Sequence, residues 1–183
     1  MLLTWKLLPL LNQSPSPRVL SVLNGGKEGR MRHDDLHLVQ HWSPLAVVGH
    51  STTMTSLAFE YLAKHNRNIC FLHVYPGWVR TENFARLSEK ASGLVWNTVV
   101  MLVRGLVGVL ARLFGMSSND CGQRQAFHLA SSAFKPGSWQ VTHLSEQAPA
   151  NPVLKYYKDN YWDEKIWELT ESTFGKVLGD KFA

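Results

Sequence analysis

Two short apolar segments that flank an amphipathic one constrain the fold of this chain more than any other feature. Residues 18–26, RVLSVLNGG, form an apolar run that ends in two glycines, and residues 68–77, NICFLHVYPG, form a second run that ends in Pro-Gly. Both patterns predict buried β-strands. Between them, apolar residues recur at helical spacing from Val47 to His65, and Asn66 is a suitable helix end. The order strand, helix, strand predicts a right-handed βαβ crossover in a parallel sheet.

The remaining segments fit a single α/β domain that covers residues 1–183. Ligands of parallel sheets gather beyond the carboxyl ends of the strands, so we expect any site to lie beside LNGG and YPGWVRT. The pattern predicts further helices over 1–11, 119–132 (with an Asn or Asp cap) and 153–178, a strand over 138–144, and irregular structure over 27–44.

Composition excludes several classes of protein. The chain has 19 basic and 14 acidic residues, but the basic ones are scattered, and no nucleic-acid motif occurs, so we predict no nucleic-acid partner. The two cysteines, Cys70 and Cys121, are too few for a disulfide framework and lack metal-ligand spacing. We therefore predict no metal site and a reducing, cytoplasmic location.

The most apolar segment covers residues 94–116 and leaves three structures open. Arg104 and Arg112 interrupt it, so no uncharged stretch is long enough for an ordinary membrane span. It can be a lid helix over a substrate pocket, a membrane-interfacial helix with cationic positions, or a spanning helix with costly central arginines. Membrane association through this segment is thus the alternative to a purely cytoplasmic location.

Five segments make the chain resemble a known enzyme family. In chain order, these segments are SPSPRVLSVLNGG, TMTSLAFEYLAK, HVYPGWVRT, CGQRQAFHLA and WDEKIWELT. Together they resemble the second half of a short-chain dehydrogenase/reductase, and in particular the fungal members associated with secondary metabolism. The resemblance runs from residue 7 to the end, and PG followed by V-x-T is its most specific match. It implies a Rossmann-like, doubly wound parallel sheet and hydride transfer between NAD or NADP and an alcohol or carbonyl.

One motif of that family is missing from the sequence. The glycine-rich turn T-G-x-x-x-G-x-G, which holds the cofactor pyrophosphate at a helix N-terminus, does not occur. The resemblance therefore implies a truncated version of the fold without its N-terminal cofactor-binding half. We expect weak dinucleotide binding or none, and an apolar sheet edge that a protein partner would cover.

The resemblance also assigns candidate catalytic residues. Family members use a tyrosine as proton donor and a lysine one helical turn later, which lowers the tyrosine pKa and binds the nicotinamide ribose. The matching segments place His50 and Met54 at these two positions and Leu23 or Asn24 at the catalytic serine. His50 is a candidate acid, or else a structural residue bound to a loop carbonyl. Asn24 is a candidate for orienting a carbonyl, or else a turn residue.

The turn after the second strand supplies the candidate cofactor residues. Pro76, Gly77, Val79 and Thr81 match the turn that contacts the nicotinamide in the family, although an inherited turn without a ligand is the alternative. His73, near the end of that strand, either faces a pocket or is hydrogen-bonded inside the fold.

Three functions remain open at this point. The first is an oxidoreductase by ancestry that is inactive as this chain, a pseudoenzyme whose relatives act on a small-molecule substrate. The second is a non-enzymatic module that binds a protein at the sheet edge or a membrane surface through residues 94–116. The third is an enzyme of altered chemistry that uses His50.

Overall fold

A computed structural model of the chain describes residues 1–79 and 115–179, together with Met101, Val103, Gly105 and Val109. The chain divides into two compact units, Met1–Tyr75 with His128–Ala183, and Pro76–Phe127. The named elements, in chain order, are α1 (Leu2–Leu11), β1 (Arg18–Val22), α2 (Pro44–His65), β2 (Cys70–Val74), α3 (Ser118–Ala130), β3 (Gly137–Val141), α4 (Pro152–Asp159) and α5 (Trp162–Leu178).

The larger unit contains a parallel sheet in the order β1-β2-β3. Arg18 of β1 pairs with Cys70 of β2, which in turn pairs with Gly137 of β3. Every residue of the central strand β2 is buried, whereas β1 is only partly buried and has a neighbouring strand on one side alone among the described residues. The predicted α/β class, with a βαβ unit in a Rossmann-like parallel sheet, is confirmed.

The side chains of β2 alternate between two apolar layers, as the period of two along a strand requires. Phe71 packs in a cluster with Phe59 of α2 and Trp167 of α5, and the rings of Phe59 and Phe71 are 5.3 Å apart. Leu72 packs in a separate cluster with Val141 of β3. Because each buried side chain of this size contributes about 1.5–3 kcal/mol, these two layers are a main source of the stability of the sheet.

Helix α2 begins three residues earlier than the apolar pattern predicted. The predicted start was Val47, but Ser43 is the N-cap, and its Oγ accepts a hydrogen bond from the Ala46 N–H at 3.1 Å. Pro44 occupies the first helical position, where its missing N–H costs nothing. The helix ends as predicted, with Asn66 as its C-cap.

Two other helical predictions need correction. Helix α3 is capped by Ser117 and not by the predicted Asn or Asp, because Ser117 Oγ accepts the Asp120 N–H at 3.0 Å and donates to the Asp120 carboxylate at 2.7 Å. The closing region 153–178 is two helices, because the backbone turns left-handed at Tyr161, with a φ of 57°.

Within the described ranges, no helix is long and apolar enough to cross a membrane. The segment 94–116 lies mostly outside those ranges, and its four described residues before residue 115 are helical. Its role as a lid, an interfacial helix or a spanning helix therefore stays a prediction.

Candidate functional site

A chain of buried hydrogen bonds lies at the carboxyl ends of β1 and β2, where the site was expected. Ser56 of α2, His73 of β2 and Glu28 of the loop after β1 are all buried. Ser56 Oγ donates to Glu28 Oε1 at 2.6 Å and lies 2.7 Å from His73 Nδ1. His73 Nε2 accepts the backbone N–H of Asn24 at 3.4 Å. Because Nε2 accepts, the neutral ring carries its proton on Nδ1 and donates it to Ser56. We call this series the buried polar chain.

Glu28 connects the buried polar chain to three parts of the fold. Its carboxylate also accepts the Gly26 N–H at 2.9 Å and the Asn151 side-chain amide at 3.1 Å. Asn151 caps α4, so Glu28 joins the loop after β1 to α2 and to the start of α4. A buried carboxylate is tolerated only when hydrogen bonds replace its water, and Glu28 meets that condition.

His73 is neutral in the folded protein. Burial lowers its pKa from the ordinary value of 6.5 to about 4. The side chain is fully buried, and both ring nitrogens have partners within the buried polar chain. The structure therefore supports the internal hydrogen-bonding role for His73 and not the role of a pocket residue.

His50 is also engaged within the fold. It lies in α2, is 4% exposed, and its Nε2 accepts the Arg32 N–H at 2.9 Å. The predicted structural alternative had a loop carbonyl as partner, and the actual partner is a loop amide. Nδ1 of His50 is buried with no hydrogen-bond partner among the described residues. One turn later, Met54 packs against an apolar cluster that contains Leu57 and Tyr157.

The segment after β1 forms a tight turn. The Asn24 carbonyl accepts the Lys27 N–H at 2.9 Å, which is the turn role predicted as the alternative for this asparagine. A Cβ on Gly25 would lie 1.8 Å from a carbonyl oxygen of β2, so only glycine fits there. Gly26 has a φ of 86°, and a Cβ there would meet Ala148 at 2.6 Å. Both glycines are therefore required for packing of the chain on itself. The catalytic role of Asn24 stays a prediction.

The predicted cofactor turn belongs to the smaller unit. Pro76 and Gly77 follow β2, and Gly77 has a φ of 75°, a conformation that favours glycine. Val79 forms an isolated parallel bridge with Met116. Thr81 lies outside the described residues. Contact of this turn with a nicotinamide stays a prediction.

The described residues do not fit a whole nicotinamide dinucleotide. A pyrophosphate needs an open cradle of backbone N–H groups, but Gly25 is buried and the Gly26 N–H is already donated to Glu28 at 2.9 Å. His50 and Met54 supply neither the phenol nor the ammonium group that the family uses at those positions.

In the same described ranges, no group of three or more metal-ligating side chains is placed to hold a metal ion. Cys70 is a buried free thiol, and burial raises its pKa, so it is unreactive.

Sequence reasoning missed Glu28 and Ser56. Glu28 stands in the charged stretch GGKEGR, which reads as an exposed loop, and Ser56 is a small polar residue within an amphipathic helix. One signal was present: Glu28 comes two residues after the Gly-Gly pair that follows the strand β1, where a side chain can be turned back toward the sheet.

The chain is similar in sequence to fungal oxidoreductases. An oxidoreductase of Emericella nidulans is 29% identical over 198 residues, which cover 94% of this chain and 57% of the relative. Oxidoreductase andH of Emericella variicolor is 35% identical, with coverage of 96% and 58%. The NmrA-like family domain-containing oxidoreductase notO of an Aspergillus species is 40% identical, with coverage of 96% and 54%. The chain thus spans little more than half the length of these curated relatives. No family model and no solved structure matches it.

Proposed function

We propose that this chain forms the substrate-facing part of a nicotinamide-dependent oxidoreductase of the short-chain dehydrogenase/reductase type. Two observations support the proposal: the similarity to fungal oxidoreductases over 94–96% of the chain, and the Rossmann-like parallel sheet with α2 as its crossover helix. The proposed substrate is an alcohol or carbonyl compound such as a fungal secondary metabolite. NAD or NADP is the proposed cofactor, and most of its site is proposed to lie outside the described residues.

We further propose that the chain alone does not transfer hydride. The observation that carries this is the burial of His50, which is 4% exposed and held inside the fold by the bond from the Arg32 N–H to its Nε2 at 2.9 Å. A proton donor must reach the substrate oxygen, but the ring N–H of His50 is at Nδ1, because Nε2 accepts, and Nδ1 is buried inside the fold. Met54, at the position of the family's lysine, carries no charge and packs against apolar residues.

A turnover assay tests this proposal. The purified chain is mixed with NADH or NADPH and a panel of aldehydes and ketones, and the loss of reduced-nicotinamide absorbance is followed. The expected result is a rate equal to the buffer blank for the wild type and for His50→Gln. Turnover that is present in the wild type and absent in His50→Gln would overturn the proposal and support an enzyme of altered chemistry.

A second candidate function, an interaction module without catalysis, is favoured by exposed apolar residues next to the sheet. Leu3, Leu7 and Leu10 follow one another at helical spacing on α1 and are 77%, 45% and 64% exposed. The proposed partner is a second copy of the chain. Light scattering on the purified chain distinguishes the outcomes: a dimer at micromolar concentration supports this function, and a monomer contradicts it.

A further inference from the structure

A cleft of about 520 Å³ opens between the loop after β1 and the start of α4. Its volume lies within the range of about 300–1,000 Å³ that is usual for small-molecule sites. The walls comprise Arg30 and His33 from the loop, and Val153, Tyr156 and Tyr157 from α4. None of these residues belongs to the buried polar chain or to the predicted cofactor turn.

His33 is held in one orientation at the wall of this cleft. The hydroxyl of the buried Tyr157 accepts the Met31 N–H at 2.7 Å and lies 3.1 Å from His33 Nε2. The ring of Trp162 lies against the imidazole, with centroids 4.2 Å apart. His33 is thus a polar ring held in place at the wall of the cleft.

Arg30 provides an available positive charge in the same cleft. It is exposed and makes no hydrogen bond or ion pair with any other residue in the described part of the chain. By contrast, Lys155 is paired with Asp159, and Lys158 with Glu60. A guanidinium group presents a planar fork of donors that matches a carboxylate or phosphate group, and such bonds are stronger than neutral ones.

We propose that this cleft binds a small aromatic anion, with its acidic group on Arg30 and His33 and its ring against Tyr156 and Val153. Tyr156 is 54% exposed, so its ring is accessible to a flat ligand. The inference does not depend on the proposed oxidoreductase role, because it involves neither the nicotinamide nor His50. A carboxylate and a phosphate monoester share the chemistry that Arg30 would recognise, and the probes below separate them.

Isothermal titration calorimetry with matched probes tests the proposal. The probes are 2-naphthoate, its neutral analogue 2-naphthamide, 2-naphthyl phosphate, and inorganic phosphate. We expect 2-naphthoate or 2-naphthyl phosphate to bind at least about tenfold more tightly than 2-naphthamide, the ratio that about 1.4 kcal/mol of charge-assisted bonding provides. The tighter of the two anions identifies the acidic group, and inorganic phosphate alone is expected to bind far more weakly.

Two variants and one control assign the binding to this cleft. Arg30→Gln is expected to abolish the preference for the anion over 2-naphthamide, and Tyr156→Ala to weaken both probes to the same degree. Arg67 is an exposed arginine in the turn before β2, and Arg67→Gln should bind like the wild type. Circular dichroism checks that each variant is folded. An equal loss in Arg67→Gln, an unchanged preference in Arg30→Gln, or no saturable binding of any naphthyl probe would overturn the proposal.

Discussion

Acid should destabilise this protein through His73 between about pH 6.5 and pH 4. In the unfolded chain, His73 binds a proton near pH 6.5, whereas burial lowers its pKa to about 4 in the folded state. Between these values the unfolded state binds more protons, so the free energy of unfolding falls as the pH falls. Stability from this residue is fully present above pH 6.5 and is lost progressively down to about pH 4.

The magnitude follows from the pKa change. Each pKa unit corresponds to about 1.4 kcal/mol, so the full effect is roughly 3 kcal/mol. That is a large share of the 5–15 kcal/mol that is typical of a whole domain. This loss of stability requires that the folded state keep the His73 ring neutral. The buried polar chain meets that requirement, because Nε2 of His73 accepts the Asn24 N–H and so cannot carry a proton.

Urea unfolding at several pH values between 7 and 4 measures this effect, with the fluorescence of the seven tryptophans as the signal. The comparison variant is His73→Asn, whose amide can still donate to Ser56 but does not titrate. His37→Asn, at an exposed histidine, is the matched control. We expect His73→Asn to be less stable at pH 7 but to lose roughly 3 kcal/mol less on acidification than the wild type or the control. Equal pH dependence in all three proteins would refute the reasoning.

Other substitutions test the packing and hydrogen bonds described above. His50→Leu removes the acceptor for the Arg32 N–H and should cost about 0.5–1.5 kcal/mol. His50→Gln should cost clearly less in the same urea experiment, since its amide oxygen can accept that bond. Gly25→Ala should prevent folding, as judged by circular dichroism, because its Cβ would overlap the backbone of β2. By contrast, Gly49 lies in α2 with open space around it, so Gly49→Ala should raise the free energy of unfolding by about 0.5–1 kcal/mol. Asp35→Asn should lower the thermal midpoint near neutral pH. Burial opposes ionisation of the Asp35 carboxylate, but backbone N–H donors lower its pKa to about 2, so its stabilising effect is present above about pH 4 and is lost toward pH 2. The difference in thermal midpoint between wild type and variant should therefore close over that range. A gap that stayed constant would contradict the Asp35 argument.

The regular elements could be predicted because their signals are local. The apolar run of β2 and the end of α2 at Asn66 both follow from neighbouring residues. The start of α2 was missed because its signal is chemical and not periodic: Ser43 and Pro44 form a cap and a first turn without adding to the apolar pattern.

The site could be located from the sequence but not assembled from it. Resemblance placed His50 correctly on α2, but its partner, the Arg32 N–H, comes from an irregular loop whose path no local pattern encodes. Glu28 was missed for the same reason, because one of its partners, Asn151, lies 123 residues away in sequence. Burial of a charged side chain depends on such distant contacts, and composition alone predicts that a glutamate is exposed to solvent.

Binding of NADH and NADPH to the purified chain, measured by isothermal titration calorimetry, tests the central claim most directly. That claim is that these residues provide the substrate-facing part of an oxidoreductase without a dinucleotide site of their own. The account predicts no saturable heat up to about 1 mM nucleotide, a limit that corresponds to about −4 kcal/mol of binding free energy. Saturable one-to-one binding in the micromolar range would contradict it.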